Sequence, residues 1–255
     1  MKKLTKITIF IMLCFTICSF FEIKNTTFAS NPTPKEEQQN LEITEINSEN
    51  KNISKETDTV PSRNYTIVID PGHGGTDPGS IGYKTKVHEA DLNLKLSLML
   101  KSKLEAAGIN VVMTRDTEKA MIEGAGKRWK KEDMALRKEL IKNTRPNMVI
   151  SLHQNSYTNH SFRGAQVFYD KTSEISKKIA DYIQEQFKAD LDKSIKATSP
   201  GDYFMLKCSS APSVIVECGF LSNEEDEKLL LDETYQAKII DCIYKGIVKF
   251  LQIKQ

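Results

Sequence analysis

From residue 65 onward the chain alternates short apolar, β-branched blocks with longer stretches of helical spacing. Tyr65-Thr-Ile-Val-Ile-Asp70 is such a block, ended by Pro71-Gly72, and predicts a buried strand. Glu89 to Ala107 places Leu92, Leu96, Met99 and Leu100 on one helical face, with Gly108 as the stop. Ile109–Thr114 and Met148–His153 read as further strands, and Met134–Asn143 as a helix ended before Pro146. Ala165–Tyr169 is a fourth strand, followed by a helix over Ser173–Lys188 with Ile175, Ile179, Ile183 and Phe187 on one stripe. Tyr203–Leu206 reads as a weak strand and Ser213–Glu217 as a strongly apolar one. Thr234–Gln252 is the last helix, carrying Ile240, Ile243, Ile247 and Leu251. Strands alternating with helices imply an α/β layered domain with a largely parallel sheet. In such sheets chemistry gathers beyond the carboxyl ends of the strands.

The first residues have a different pattern. Lys2, Lys3 and Lys6 precede an almost unbroken apolar run, Ile7–Phe21, and Thr27-Phe28-Ala29 offers small residues for export cleavage. Residues 1–29 therefore read as a signal peptide, or as an uncleaved N-terminal membrane segment. The run is short for a span, which needs about twenty residues. Residues 30–64 open on Asn-Pro-Thr-Pro and are dominated by Glu, Gln, Asn, Ser and Lys, with no aromatic before Tyr65. Such a segment buries too little apolar surface to offset its ordering entropy, so it reads as a polar, disordered linker. The folded domain is expected over 65–255, without an internal repeat or a second globular segment.

A formal net charge of +2 argues against a general nucleic-acid binder, which needs a strong basic excess. Membrane contact is expected only through the N-terminal segment. Beyond the signal, Cys208, Cys218 and Cys242 remain, an odd number without Cys-x-x-Cys spacing. They read as small buried side chains.

Four polar residues fall at the carboxyl ends of the predicted strands or beside them. His73 follows the first strand, His153 closes the third, Glu217 closes the last, and Glu89 starts the first helix. Two imidazoles and a carboxylate form a set that zinc accepts, with a fourth position left for water. Glu217 would then be the free carboxylate that takes the water's proton and returns it to the leaving nitrogen. Each residue alone also fits a structural role. Gly72-His73-Gly74-Gly75 could be a simple turn or a phosphate cradle, but it lacks the Lys-Ser/Thr of a P-loop. Asp70 and Asp77 flank His73 and could hydrogen-bond a ligand imidazole. Asn155 and Asn223 could orient substrate amides. His88 adjoins Glu89, but successive helical residues diverge by roughly 100°, so both do not reach one metal.

Four blocks carry a family resemblance. They are Ile69-Asp-Pro-Gly-His-Gly-Gly-Thr-Asp-Pro-Gly79, His88-Glu-Ala-Asp-Leu-Asn93, Ile150-Ser-Leu-His-Gln-Asn155 and Val216-Glu-Cys-Gly-Phe-Leu-Ser-Asn223. In order and content they resemble the signature blocks of the zinc N-acetylmuramoyl-L-alanine amidases of the type-3 family, over about Tyr65 to Leu251. The resemblance implies a single three-layer domain with a six-stranded mixed, mostly parallel sheet flanked by helices. It also implies one Zn2+ per domain on His73, Glu89 and His153, with Glu217 catalytic. The substrate implied is peptidoglycan, cut between N-acetylmuramic acid and L-alanine. Gln154-Asn155-Ser156 departs from the alanine-rich form of the third block without touching a ligand.

The short layout also resembles the sporulation and germination amidases of clostridia and bacilli, in which stem-peptide removal precedes muramic δ-lactam formation in the spore cortex. Such family members are often gated by accessory proteins, so an activator, a lipoprotein or membrane-associated protein, is a plausible partner. Exported chains of this kind act at the outer membrane face or wall, including the space around a forespore. Thr117–Asp133, with Lys127-Arg-Trp-Lys-Lys131, is the one sizeable insertion. It reads either as a cover whose Trp129 stacks on a sugar or as an exposed loop with one anchoring aromatic. Two other functions fit the same residues: a module that grips peptidoglycan without cutting it, and a zinc hydrolase acting on another wall amide.

Overall fold

A computed structural model describes residues 64–192 and 196–253. The expected signal and nearly all of the expected linker lie outside the described residues. The elements are β1 (Thr66–Pro71), α1 (Glu89–Ala106), β2 (Asn110–Met113), α2 (Gly126–Thr144), β3 (Met148–Asn155) and β4 (Gln166–Tyr169). They continue with α3 (Glu174–Asp190), β5 (Ser199–Pro200), α4 (Phe204–Lys207), β6 (Ser213–Phe220), α5 (Glu224–Leu231) and α6 (Glu233–Ile253). The six strands form one sheet in the order β2-β1-β3-β6-β4-β5. β1, β2, β3 and β6 are mutually parallel, while β4 pairs antiparallel with β6. The sheet is therefore mixed and mostly parallel. Successive connections leave β1 in opposite directions, to β2 on one side and β3 on the other, which opens a crevice at the carboxyl ends of β1 and β3.

Strand alternation divides the side chains between two unequal faces. Ile67, Ile69, Met148, Ile150, Leu152, Val214 and Val216 point to the larger core, packed against α1, α3 and α6. Val68, Val149 and Ile215 point the other way, to a smaller cluster with Ile141 of α2 and Met205 and Leu206 of α4. Asp70, Ser151, His153 and Glu217 share this thinner face by the same period of two. Cys208, Cys218 and Cys242 are all buried free thiols.

Helix ends follow local chemistry. Ser173 caps α3, its side chain accepting from Ser176 N. Asn223 caps α5 by accepting from Glu225 N and Asp226 N, and four acidic residues occupy that helix's first turn. The sequence pattern missed α5. It also placed Ile175 on the buried stripe of α3, whereas Ile175 is exposed and Ser176, Ile179, Ala180, Ile183 and Phe187 face inward. Tyr203–Leu206 is not a strand: Phe204–Lys207 is a helical turn, and β5 lies earlier, at Ser199–Pro200. Tyr203 and Phe204 are exposed while Met205 and Leu206 are buried, a pairwise burial that a strand's alternation cannot produce.

The helix expected at Met134 starts at Gly126, so half of the supposed insertion is helical. Its buried positions are Trp129, Asp133, Arg137 and Ile141, spaced i, i+4, and two of them are charged. Trp129 Nε1 donates to Ile122 O at 2.6 Å, and the ring is 8% exposed, so the aromatic anchors its own segment. Among the described residues, no helix is long and apolar enough to cross a membrane.

Arg137 is 2% exposed and ties α2 to the end of β1. It donates to Asp70 Oδ1 at 2.8 Å, Asp133 Oδ2 at 2.7 Å, Pro71 O at 2.9 Å and His73 O at 2.7 Å. Asp70 also accepts from Thr114 and Ser151 hydroxyls, each at 2.6 Å. Burial alone would raise the Asp70 carboxyl, but Arg137 and the two hydroxyls hold it below its ordinary value. Asp70 therefore braces the sheet against α2 and does not touch an imidazole, contrary to the sequence expectation. Removing one partner of a buried pair strands the other charge. Arg137→Leu should lower unfolding stability by roughly 3–5 kcal/mol, read from urea denaturation.

Candidate active site

His73 lies in the loop after β1 with φ 63°, a left-handed conformation rarely adopted outside glycine. Arg137 holds its carbonyl, and Arg115 holds the two preceding ones, donating to Pro71 O at 3.0 Å and Gly72 O at 2.9 Å. Arg115 thus belongs to the scaffold of this loop. The bend turns the His73 ring back over the sheet end, where Nε2 comes within 3.2 Å of Glu89 Oε1. His73 Nδ1 is 2.9 Å from Asp77 Oδ2, so Asp77 does hold this imidazole. Asp77 in turn pairs with Lys130 Nζ at 2.8 Å. Burial opposes ionisation of Asp77, but Lys130 and His73 bring its pKa down to about 2. Burial likewise disfavours charge on His73, but Glu89 and Asp77 outweigh it and raise that imidazole's pKa.

Glu89, 3% exposed, opens α1, where the helix dipole favours a carboxylate. Its Oε1 meets His153 Nδ1 at 2.9 Å and accepts from Gln154 N at 3.2 Å and Asn93 Nδ2 at 3.3 Å. Oε2 accepts from Ser80 N at 2.7 Å. Burial pushes the Glu89 carboxyl up, but the bonds with His153 and His73 hold it far below the usual carboxylate range. One donor atom from each of His73, Glu89 and His153 lies within 4.8 Å of the others. Two neutral-capable imidazoles and an ionised carboxylate, with the second nitrogen of His73 held by Asp77, fit a zinc ion. The two rings stand edge to face, their centroids 5.0 Å apart.

Glu217 pairs in register with His153 across β3 and β6, so both side chains leave the same face of neighbouring strands. It is 9% exposed, and its Oε2 is buried without a hydrogen-bond partner. Burial pushes its pKa up to about 7, with Glu89 adding to the rise and His153 and His73 opposing it. A cavity of about 180 Å³ adjoins the two histidines and is walled by Trp129, Met134, Tyr203 and Phe204.

The remaining expected residues lie elsewhere. Asn223 is committed twice, as the cap of α5 and as donor to His160 O at 2.7 Å, so its amide is not available to substrate. Asn155 closes β3 and its Oδ1 accepts from Ser156 N at 2.9 Å. His88 caps α1, half exposed, 3.9 Å from Asp91. Sequence reasoning missed Lys130 and the two arginines that set the His73 loop. Their only signal was charge: Lys130 in the stretch read as an insertion, Arg115 just past an expected strand and Arg137 within an expected helix.

Two glycines make the convergence possible. A Cβ on Gly72 would lie 2.1 Å from His153 Cε1, inside the ring's own space. A Cβ on Gly79, whose φ is +68°, would meet Glu89 Oε2 at 2.6 Å and His73 Cδ2 at 2.7 Å. Gly72→Ala should expel the His153 ring and weaken zinc binding at least about tenfold, the scale seen when groups supporting a metal site are lost. Zinc titration alongside thermal unfolding checks this, with the fold expected to persist.

Comparison with known proteins followed the same residues. The chain matches the Amidase_3 family model, N-acetylmuramoyl-L-alanine amidase, over residues 67–249. It is 32% identical over 200 residues to the germination-specific N-acetylmuramoyl-L-alanine amidase of Bacillus subtilis (strain 168), covering 77% of this chain and 84% of that one. It is similar to the CwlD amidase from Clostridioides difficile, solved in complex with the GerS lipoprotein: 41% identity, TM-score 0.72, covering 74% of this chain and 100% of that one. An N-acetylmuramoyl-L-alanine amidase from Clostridium difficile 630 matches with 27% identity and TM-score 0.68, covering 76% of this chain and 100% of that one. Both solved chains are covered over their full length by the match. The blocks that converge on Glu89 are thus those of an enzyme lineage, and the chain belongs to the N-acetylmuramoyl-L-alanine amidases, hydrolases of the bacterial cell wall.

Proposed function

We propose that the protein hydrolyses the amide between N-acetylmuramic acid and L-alanine with one zinc held by His73, Glu89 and His153. The observation that carries this is the cluster of three donor atoms within 4.8 Å, beside a buried carboxylate with an unbonded oxygen. Zinc, when bound, supplies Lewis acidity that acidifies water and polarises a carbonyl. The chain supplies the proton traffic. Glu217 accepts a proton from the attacking water and delivers it to the amide nitrogen, which leaves only once protonated. A pKa near neutrality suits a group that must both take and give a proton. Asp77 fixes the His73 ring so that Nε2 faces the cluster. Asp70, Arg137 and Arg115 keep the backbone of that loop in place.

The biological setting proposed is removal of stem peptides during spore cortex maturation, ahead of muramic δ-lactam formation. Its support is the 32% identity to a germination-specific amidase over most of both chains. The chain is then exported and works at the outer face of the membrane, in the space around the forespore. A lipoprotein partner is part of the proposal, on the ground that the CwlD amidase was solved with one. Ordering of the His73 loop by such a partner would raise zinc affinity.

Muropeptide mass spectrometry of digested sacculi should show new N-terminal L-alanine. Loss of acetyl groups or cleavage within the peptide would replace the amidase assignment with another hydrolase. Glu217→Gln should retain zinc yet lose at least about 100-fold in turnover, the usual worth of a general acid–base group. Full activity in that variant would remove Glu217 from the reaction.

In the metal-free protein Glu217 also makes stability pH-dependent. Its folded pKa, about 7, exceeds the reference value of 4.5, so the folded state holds the proton more tightly. Stability at this site is then fullest below pH about 4.5 and falls as pH rises towards about 7. The advantage of Glu217→Gln over the parent in chelator should therefore grow across that window, reaching roughly 3 kcal/mol above it. Denaturation at a series of pH values measures it.

A further inference from the structure

A second cleft lies at the opposite end of the sheet from the metal cluster. It is bounded by the C-terminal half of α2 and by the connection from α4 to β6, and its volume is about 820 Å³. Lys138, Lys142, Arg145 and Lys207 line it, and no acidic residue does. Lys207 is paired with Asp202 at 2.5 Å. Among the described residues, no carboxylate pairs with Lys138, Lys142 or Arg145. Elsewhere on the protein several lysines do have such a partner: Lys95 with Glu233, Lys103 with Asp241, Lys245 with Asp190, Lys249 with Glu185. These three cations without a carboxylate partner are spaced i, i+4 and i+7 along α2 and its C-cap, so their charges add along a single wall, with Lys138 Nζ also 5.9 Å from the Phe204 ring. Arg145 sits at the helix C-cap with φ 48° and ψ 55°, a position where glycine is usual.

The cleft also marks where the chain enters the fold. Asn147 lines it, and this residue clamps the start of β1: Thr66 N donates to Asn147 Oδ1 and Asn147 N to Thr66 O, both at 2.8 Å. The described chain thus enters the fold at this edge, and the apolar run Ile7–Phe21 precedes it in sequence. His153 and Glu217 lie in the carboxyl-terminal halves of β3 and β6, roughly 16 Å along the strands from this edge. A contact at this edge would set the domain's orientation on a surface.

We propose that this cleft receives the phosphate of anionic phospholipid headgroups and holds the domain against the membrane with its catalytic end turned outward. The inference does not depend on the amidase reaction. Each cation near an anionic surface contributes about fivefold in affinity, so three contribute on the order of 100-fold.

The test uses residues 55–255, which lack the apolar run, with cooperative thermal unfolding of this fragment as its first readout. Its partitioning is measured by sedimentation with phosphatidylglycerol vesicles and with phosphatidylcholine vesicles. The parent should prefer the anionic vesicles by on the order of 100-fold at low salt, and salt should suppress the preference. K138Q/K142Q/R145Q should abolish it, and K138R/K142R/R145K should keep it. Thermal unfolding verifies that each variant is folded. K142Q, at one exposed position, provides a milder step of about fivefold. An unchanged preference in the neutral variant overturns the proposal, as does equal loss in both triple variants. Calorimetry with inorganic phosphate forms a separate arm. Affinity for the free ion equal to that for the vesicles would make the site a soluble-anion site and overturn the membrane assignment.

Discussion

A buried carboxylate must be paired or lose its charge, and Glu89 meets this constraint with contacts from four different segments. His73 comes from the loop after β1, His153 and Gln154 N from β3, Ser80 N from the approach to α1, and Asn93 from the helix itself. Losing any one would leave the charge under-compensated in a site only 3% exposed. The crossing point of the fold and the chemical centre are therefore the same atoms. A divalent cation fits there because the protein already gathers two imidazoles around one negative charge.

The unequal faces of the sheet distribute the work. The face under α1, α3 and α6 is packed with aliphatic side chains and carries most of the hydrophobic burial. The other face has a small apolar cluster and a row of polar side chains: Asp70, Ser151, His153 and Glu217. Arg137 and Arg115 compensate for its poor packing by binding carboxylates and backbone carbonyls at the end of β1. Those bonds hold His73 in a conformation it would not otherwise keep. Rigidity near the cluster thus depends on buried charge, while stability of the whole depends on the opposite face.

Glu217 shows what that division allows. It is the one carboxylate of the site whose surroundings raise its pKa, because burial removes its solvent and no donor reaches Oε2. Glu89 a short distance away is driven the other way by its imidazoles. Two carboxylates with opposed environments can hold separate roles, one binding and one exchanging protons.

Much of this was legible along the chain because it is local. β1, β3 and β6 are short apolar runs ended by Gly, Pro or a polar residue, and α1 and α6 carry an apolar stripe at helical spacing. The placement of His73 just past β1 follows from those runs and the rule for parallel sheets, whereas β3 and β6 continue two and three residues beyond His153 and Glu217, which the runs predict as their last residues. Long-range pairing decided the rest. α2 was invisible over its first half because its inward residues there are only Trp129 and Asp133, and the burial of Asp133 makes sense only beside Arg137. The residues flanking His73 looked equivalent in sequence, yet strand alternation sends Asp70 to Arg137 while the loop returns Asp77 to the imidazole. Asn223 read as a substrate contact until α5 claimed it as a cap. Tyr203–Leu206 was too short for periodicity to choose between strand and helical turn, and packing against the thin face chose. Patterns fixed by one or two neighbours could be read directly; partners many residues away, and the buried charges that need them, exist only once the chain has closed.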